Sequence, residues 1–295
     1  MTAVSARAVP PTVPAAAPGT LWARVVAWWF APRPVARIAV LRRVFYAFVV
    51  FDMYVLVNDV VPHGYAPASL YKPIFIPRLL GLPAPTPAYV QTLRVVLVAA
   101  CVVGALGRLP RLAGWVVALA YLDWIFLGFS YGKVDHDHLG LVVALFVLPL
   151  AGVSRGVAPG TESEAAAWSL RWIQVAAICT YFLSAYAKLR HGGWWWANSA
   201  TFAWALSRRG TALGDWLLGY PRLLVASQWG LLVMEALTPV VLFLRGRWLA
   251  FALGVLLAFH VATYLAIEIH FLPTVVCLLA FVPLERLTRR YPNAA

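Results

Sequence analysis

Three lysines stand among 24 basic residues in this sequence of 295 residues. They are Lys72, Lys133 and Lys188. The third closes an apolar run, YFLSAYAKLRHGG (181–193). Arginine keeps its charge at any reachable pH, whereas a desolvated lysine can release its proton and act as a base. Two roles are therefore open to Lys188: an anchor whose amine snorkels to the membrane interface, or a general base in an apolar site.

Three other groups could do chemistry. YGKVDHDHLG carries Asp135, His136, Asp137 and His138 in alternation. Carboxylate and imidazole are common metal ligands, so these four are the residues a metal would use. Alternating loop positions fix no geometry, and a polar loop with Asp135 or Asp137 as N-cap of the next helix serves as well. No metal is assigned. FHVATYLAIEIHFLP places His260, Tyr264 and Glu268 at i, i+4 and i+8. That spacing predicts one shared helix face, read either as part of a site or as a hydrogen-bonded stripe between helices. Asp52, Asp123 and Glu235 fall inside apolar runs, where a charge must pair, be neutralised or face water. Arg42, Arg43 and Arg94 are the partners available to them, and structural pairing is the expected role.

The elements that must position these residues follow from composition. The chain is 62% hydrophobic and 12% charged, with a mean hydropathy of +0.78; soluble domains carry about 25% charged residues. Apolar runs of about 17–22 residues recur, the length that spans a bilayer core. The fold expected is all-α, a polytopic membrane bundle of about eight transmembrane helices in one domain. The spans run roughly over 36–57, 90–106, 112–129, 139–153, 168–187, 223–244, 248–267 and 271–284. The fourth and eighth carry Pro149 and Pro273 and are expected to be tilted, broken or partly re-entrant. Residues 1–35 read as a disordered Pro/Ala-rich tail followed by an interfacial helix, LWARVVAWWF. Residues 36–284 form the transmembrane domain and 285–295 a cytoplasmic tail.

The net charge of +13 is accounted for by arginines at loop ends. No basic soluble module is present, so no nucleic-acid partner is expected. Cys101, Cys179 and Cys277 all lie in apolar runs, which argues against a disulfide framework. Arg33, Arg37, Arg108, Arg111, Arg245, Arg247, Arg286, Arg289 and Arg290 fall on one side if there are eight spans. The positive-inside rule makes that side the cytoplasm, with both termini on it. His63, His136, His138, His191 and His270 then lie in outer loops, His260 lies in the outer half of the seventh span, and Lys188 ends the fifth. The titratable groups converge on the outer face.

Five stretches carry a resemblance: RIAVLRRVFYAFVVFDMY, VDHDHLGLVVALF, YFLSAYAKLRHGGWW, LLVMEALTPVVLFL and FHVATYLAIEIHFLP. In order and approximate spacing they resemble the integral-membrane domain of vitamin K-dependent γ-glutamyl carboxylase and its bacterial HTTM (horizontally transferred transmembrane) relatives, over about 37–284. In that family a reduced naphthoquinone is oxygenated by O2 to its epoxide. The strong base so formed removes a proton from a glutamate γ-carbon, to which CO2 adds. The resemblance implies that Lys188 is the base that deprotonates the quinol, with His136 and His260 orienting its oxygens. His138, Tyr264 and Glu268 are the further residues expected around it. The sequence departs from the family at Ala187, where the family has a second lysine, and at Asp137 and His138, where it has Tyr or Ser. It also lacks the large region through which the vertebrate enzyme handles substrate. The expected function is thus a quinol-dependent oxygenase/epoxidase, with any carboxylation acting on a small-molecule acceptor or a separately bound peptide. The expected partners are a lipid-soluble quinol and membrane lipids, in a bacterial cell membrane. A non-catalytic scaffold protein for maturation, immunity or binding is the alternative, and a metal-binding membrane protein a further one.

Overall fold

The computed structural model describes residues 19–132, 134–152, 158 and 160–290. Most of the expected N-terminal tail, Lys133, Arg155 and the last five residues lie outside these. Among the described residues the chain is mostly helical, and its one sheet is a two-residue antiparallel ladder, β1 (Arg33–Pro34) with β2 (Glu162–Ser163).

Among the helices of the described residues, nine organise the fold. They are α1 (Leu21–Phe30), α2 (Val35–Phe51), α3 (Pro87–Ala105), α4 (Pro110–Phe129), α5 (Leu139–Ala151), α6 (Glu164–Gly192), α7 (Pro221–Leu237), α8 (Gly246–Ile267) and α9 (Leu272–Cys277). Local chemistry sets their starts. Pro87, Pro110 and Pro221 occupy the first turns of α3, α4 and α7, where a missing N–H costs nothing. Thr86 accepts from the Tyr89 amide, and Ser163 from the Ala166 amide at the head of α6, satisfying donors that a helix start leaves orphaned.

Each of the eight apolar runs is helical. α2 continues as a π-helix over Asp52–Leu56, α7 as a 3-10 helix over Thr238–Phe243, and α9 as a 3-10 turn over Leu278–Phe281. Four of these helices are long and apolar enough to cross a membrane: Pro87–Ala105, Pro110–Phe129, Pro221–Phe243 and Gly246–Ile267. The remaining runs are shorter, as α5 and α9 are, or carry more charge, as α2 and α6 do. α1 forms at the position expected for an interfacial helix and has no buried residue.

The core lies between α2, α3, α4, α5 and α6, filled by Trp124, Tyr46, Tyr121 and Phe45. Small residues allow the close approaches, as is usual where helices pack without water. A Cβ at Gly114 would come within 2.7 Å of the Pro149 ring, so Gly114 lets α4 and α5 touch at the backbone. α8 is different: only Leu256 and His260 are buried, while Phe251, Val261 and Leu265 are exposed. An apolar helix that keeps most of its surface outside the core suits lipid better than water.

The connections sort into two ends. At one end β1 meets β2, Arg37 pairs with Glu285, and Arg43 donates to the Ala105 carbonyl. At the other, the Lys72 amide bonds the Ser130 carbonyl and the Thr211 hydroxyl bonds the Ala266 carbonyl.

Candidate functional site

A cavity of about 710 Å³ lies among α6, α7 and α8, with the short helices Thr201–Arg209 and Ala212–Leu218 closing over it. Its size falls in the range of small-molecule sites, roughly 300–1,000 Å³. Most of its wall is apolar, including Leu206, Leu231, Met234 and Phe271. The polar groups gather on α6 and the facing helices.

On α6 the sequence puts Tyr181, Ser184 and Lys188 at i, i+3 and i+7, which returns all three to one face. All three line the cavity. The Lys188 side chain turns back along its helix, as long helical side chains do, and its amine donates to Ser184 Oγ at 2.6 Å. It also donates to both carboxylate oxygens of Glu235, at 2.7 and 2.6 Å. An anchor would extend toward the interface; this amine points inward. It lies 5.2 Å from the centre of the Trp196 ring, within the range of a cation–π contact. Glu235 is only 4% exposed, and the Lys188 amine is its ion-pair partner at 2.6 Å.

Across the cavity, His260 Nε2 and the Tyr181 hydroxyl are 2.6 Å apart. The imidazole sits among Phe259, Phe271 and Tyr181, and its Nδ1 is buried without a hydrogen-bond partner. His136 also lines the cavity. The structure therefore brings together Lys188, His136 and His260, the three residues expected to be catalytic.

It does not bring the other three. His138 is absent from the cavity wall: Nε2 lies 3.0 Å from Asp52 and Nδ1 3.2 Å from Asp137. His136 and His138 sit in one 3-10 turn. At about three residues per turn, positions two apart point to different sides. Tyr264 is exposed, and Glu268 has left the helix as the left-handed C-cap of α8. The reason is angular. Steps of four overshoot the 3.6-residue turn by about 40° each, so the expected stripe drifts off the face. Thr263 and Ile267, three and seven residues after His260, line the cavity in place of Tyr264 and Glu268. Among the described residues no group of three or more His, Cys, Asp or Glu could hold a metal ion; the histidine of the alternating loop that is buried is hydrogen-bonded to carboxylates.

The membrane carboxylates also find partners other than those expected. Asp52, fully buried at the start of the π-helix, accepts from the Tyr121 hydroxyl at 2.8 Å and meets His138. Asp123 bonds the Tyr89 hydroxyl. Glu235 takes Lys188. None of these three takes an arginine in the contacts seen here.

Sequence reasoning missed Tyr181, Ser184, Glu235 and Gln228 as site residues. The first two carried a signal in the spacing 181/184/188. Gln228 carried none: buried on α7, it donates to the Ala197 and Ser199 carbonyls and accepts from the Phe202 amide. It thereby fixes the segment that holds Trp196 and Phe202 against the cavity. Comparison with protein-family models yields no match, and neither does comparison with curated proteins or with solved structures.

Proposed function

We propose that the chain is a membrane-embedded quinol-dependent oxygenase of the HTTM type, taking a reduced naphthoquinone into the cavity of α6, α7 and α8. The observation that carries the reading is the inward-turned Lys188 amine, paired with Glu235 at the polar side of an apolar cavity. When bound, the quinol would supply all four electrons that O2 takes up, two on passing to the quinone and two from the ring double bond that is epoxidised, one oxygen going into the epoxide and the other leaving as water.

The proton count assigns the residues their work. An ionised pair leaves Lys188 with three protons and no lone pair. Seating an apolar ligand strips water from the pair, and buried charges without water are costly. The working form is then the neutral one, Lys188 amine beside the Glu235 acid. Nζ accepts the quinol proton, and the resulting ammonium lies next to the oxygen that lost it. Tyr181 holds His260 in place, and Nδ1 of His260 is left to meet a second ligand oxygen. His136 covers the outer side.

The same reading takes all eight helical runs as crossings, with both termini in the cytoplasm. It is supported by the way the N-terminal flank, β2 and Glu285 gather at one end. The bacterial cell membrane and an outward-facing site belong to this proposal too.

The experiment is epoxide formation by the detergent-purified chain supplied with menaquinol or vitamin K hydroquinone and O2. Wild type should form epoxide. Lys188→Arg, which cannot hold a neutral side chain, should fold and lose about 10²–10⁴-fold in rate. No epoxide from wild type with either quinol sinks the reading. A second reading has its own observation: all three protons of a Lys188 ammonium already have acceptors, as in a structural brace between α6 and α7. A non-catalytic scaffold protein would show wild-type stability in Lys188→Arg and no turnover in any form.

A further inference from the structure

A second cavity, of about 350 Å³, lies at the opposite end of α6. Arg171 and Lys188 are 17 positions apart on that helix, about 25 Å along its axis. Four arginines line this cavity: Arg33 in β1, Arg37 at the head of α2, Arg171 on α6 and Arg245 in the connection to α8. Among the described residues lining it there is no carboxylate. Glu285 pairs with Arg37 from outside the lining, and Arg33, Arg171 and Arg245 converge beside it with no carboxylate among the described lining residues.

Arg171 is held in place. Its Nε donates to the Trp28 carbonyl at 3.0 Å and its Nη1 to Gln174 Oε1 at 2.8 Å. Its guanidinium lies 4.3 Å from the centre of the Trp28 ring. Arg33, Arg37 and Arg245 are close enough for their charges to act on it. The rest of the wall is apolar, with Leu242, Phe243 and Leu249. Around this end Trp28, Trp29, Trp168 and Trp172 form a chain of ring contacts. Trp clusters mark the headgroup level of a bilayer.

We infer that this cavity is a binding site for an anionic phospholipid. The phosphate lies between Arg33, Arg171 and Arg245, and the acyl chains follow Leu242, Phe243 and Leu249. Guanidinium forks match phosphate oxygens in pairs, and basic pockets between membrane helices are suited to acidic headgroups. Ordinary snorkelling arginines would spread outward into water; these turn into one concave space at the depth of the tryptophans. A free phosphate shares the headgroup chemistry but makes no use of the apolar wall.

The test uses the full chain in neutral detergent and follows thermal unfolding against added phosphatidylglycerol, phosphatidylcholine or inorganic phosphate. Phosphatidylglycerol should raise Tm saturably and the other two should not. Arg33→Gln/Arg245→Gln should weaken the apparent affinity for phosphatidylglycerol at least tenfold, while Arg222→Gln, an exposed charge elsewhere, should not. Arg171→Gln is the stronger variant, but it also frees the Trp28 carbonyl; the pair at 33 and 245 keeps the test sound if it fails to fold. Equal stabilisation by phosphatidylcholine, an equal loss in Arg222→Gln, or full reproduction of the effect by inorganic phosphate overturns the lipid assignment.

Discussion

Tyr181 and His260 are joined at 2.6 Å between the hydroxyl and Nε2, linking α6 to α8 across the cavity. This bond is one of few polar ties that α8 makes to the rest of the bundle, since only Leu256 and His260 of that helix are buried. Tyr181→Phe should leave Nε2 without its partner while keeping the ring. Hydrogen bonds between membrane helices average about 0.6 kcal/mol and reach about 1.7, so a loss of about 1 kcal/mol is expected. Denaturant unfolding in detergent measures it. A larger fall in naphthoquinol affinity than in stability is expected as well, because the imidazole would be free to rotate.

Lys188 and Glu235 are coupled more tightly. Removing one partner of a buried ion pair strands the other charge, at about 3–5 kcal/mol, whereas replacing both by apolar residues is often near neutral. Lys188→Met and Glu235→Leu should each destabilise strongly, and the double variant should recover most of the loss. Additive single effects in a double-mutant cycle would mean that the two do not depend on each other for compensation.

Topology gives a test that requires no activity. With Cys101, Cys179 and Cys277 replaced, a cysteine at Asp215 should react with a membrane-impermeant reagent applied to intact cells. One at Gly246, in the connection beside Arg245, should react only after permeabilisation. Outside labelling at Gly246 would place the arginine-rich end outside and remove the argument for an outward-facing site.

The sequence made the helical runs legible because lipid demands long apolar stretches, and all eight are helical. Lys188 and His260 stood out because titratable groups are rare at the ends and in the interior of such stretches, and His136 because it lies in the alternating polar loop; the three were expected to act together only from the resemblance, and all three line one cavity. The partner of Lys188 was not legible. Glu235 lies 47 positions away, and only the packing of α6 against α7 brings the two within 2.7 Å. Tyr264 and Glu268 misled because a repeat of four looks like a helix face over one turn and drifts off it over two. His138 misled because a 3-10 turn and an α-helix send the same two-residue spacing in different directions. Gln228 shows the general limit. A buried amide that holds three backbone groups of a distant segment has no local pattern to announce it.

At the arginine-rich end, Glu285 should titrate with the fold. Burial is the largest influence and acts to raise its carboxyl, but the hydrogen bonds from Arg37, each 2.7 Å, a backbone hydrogen bond and the charges of Arg37 and Arg286 together outweigh it and hold the group below its ordinary value of 4.5. A depressed folded-state value contributes stability above the unfolded value, which is lost as pH falls through the folded one. The Tm of wild type should therefore drop more steeply than that of Glu285→Gln as pH is lowered through 4.5, and the two curves should run parallel above about pH 6. Identical curves throughout would show that the pair makes no net contribution to folding.

Gly230 offers the sharpest separation of binding from folding. It sits within α7 and lines the large cavity, and a Cβ built there meets nothing within 4 Å. Glycine inside a helix costs about 0.5–1 kcal/mol relative to alanine. A residue kept bare at that cost, facing open space, is what a ligand seat requires. Gly230→Ala should raise stability by up to about 1 kcal/mol and leave ligand access largely intact. Gly230→Leu should fold equally well, since its side chain enters empty volume, yet occupy room that a bicyclic quinol needs. Naphthoquinol binding, followed by quenching of the tryptophan fluorescence, should weaken at least tenfold in Gly230→Leu and little in Gly230→Ala. If Gly230→Leu binds as tightly as wild type, the quinol does not occupy this cavity. If instead Gly230→Leu unfolds, the space beside Gly230 is closed in the folded protein, and the cavity is smaller than the 710 Å³ on which the functional reading rests.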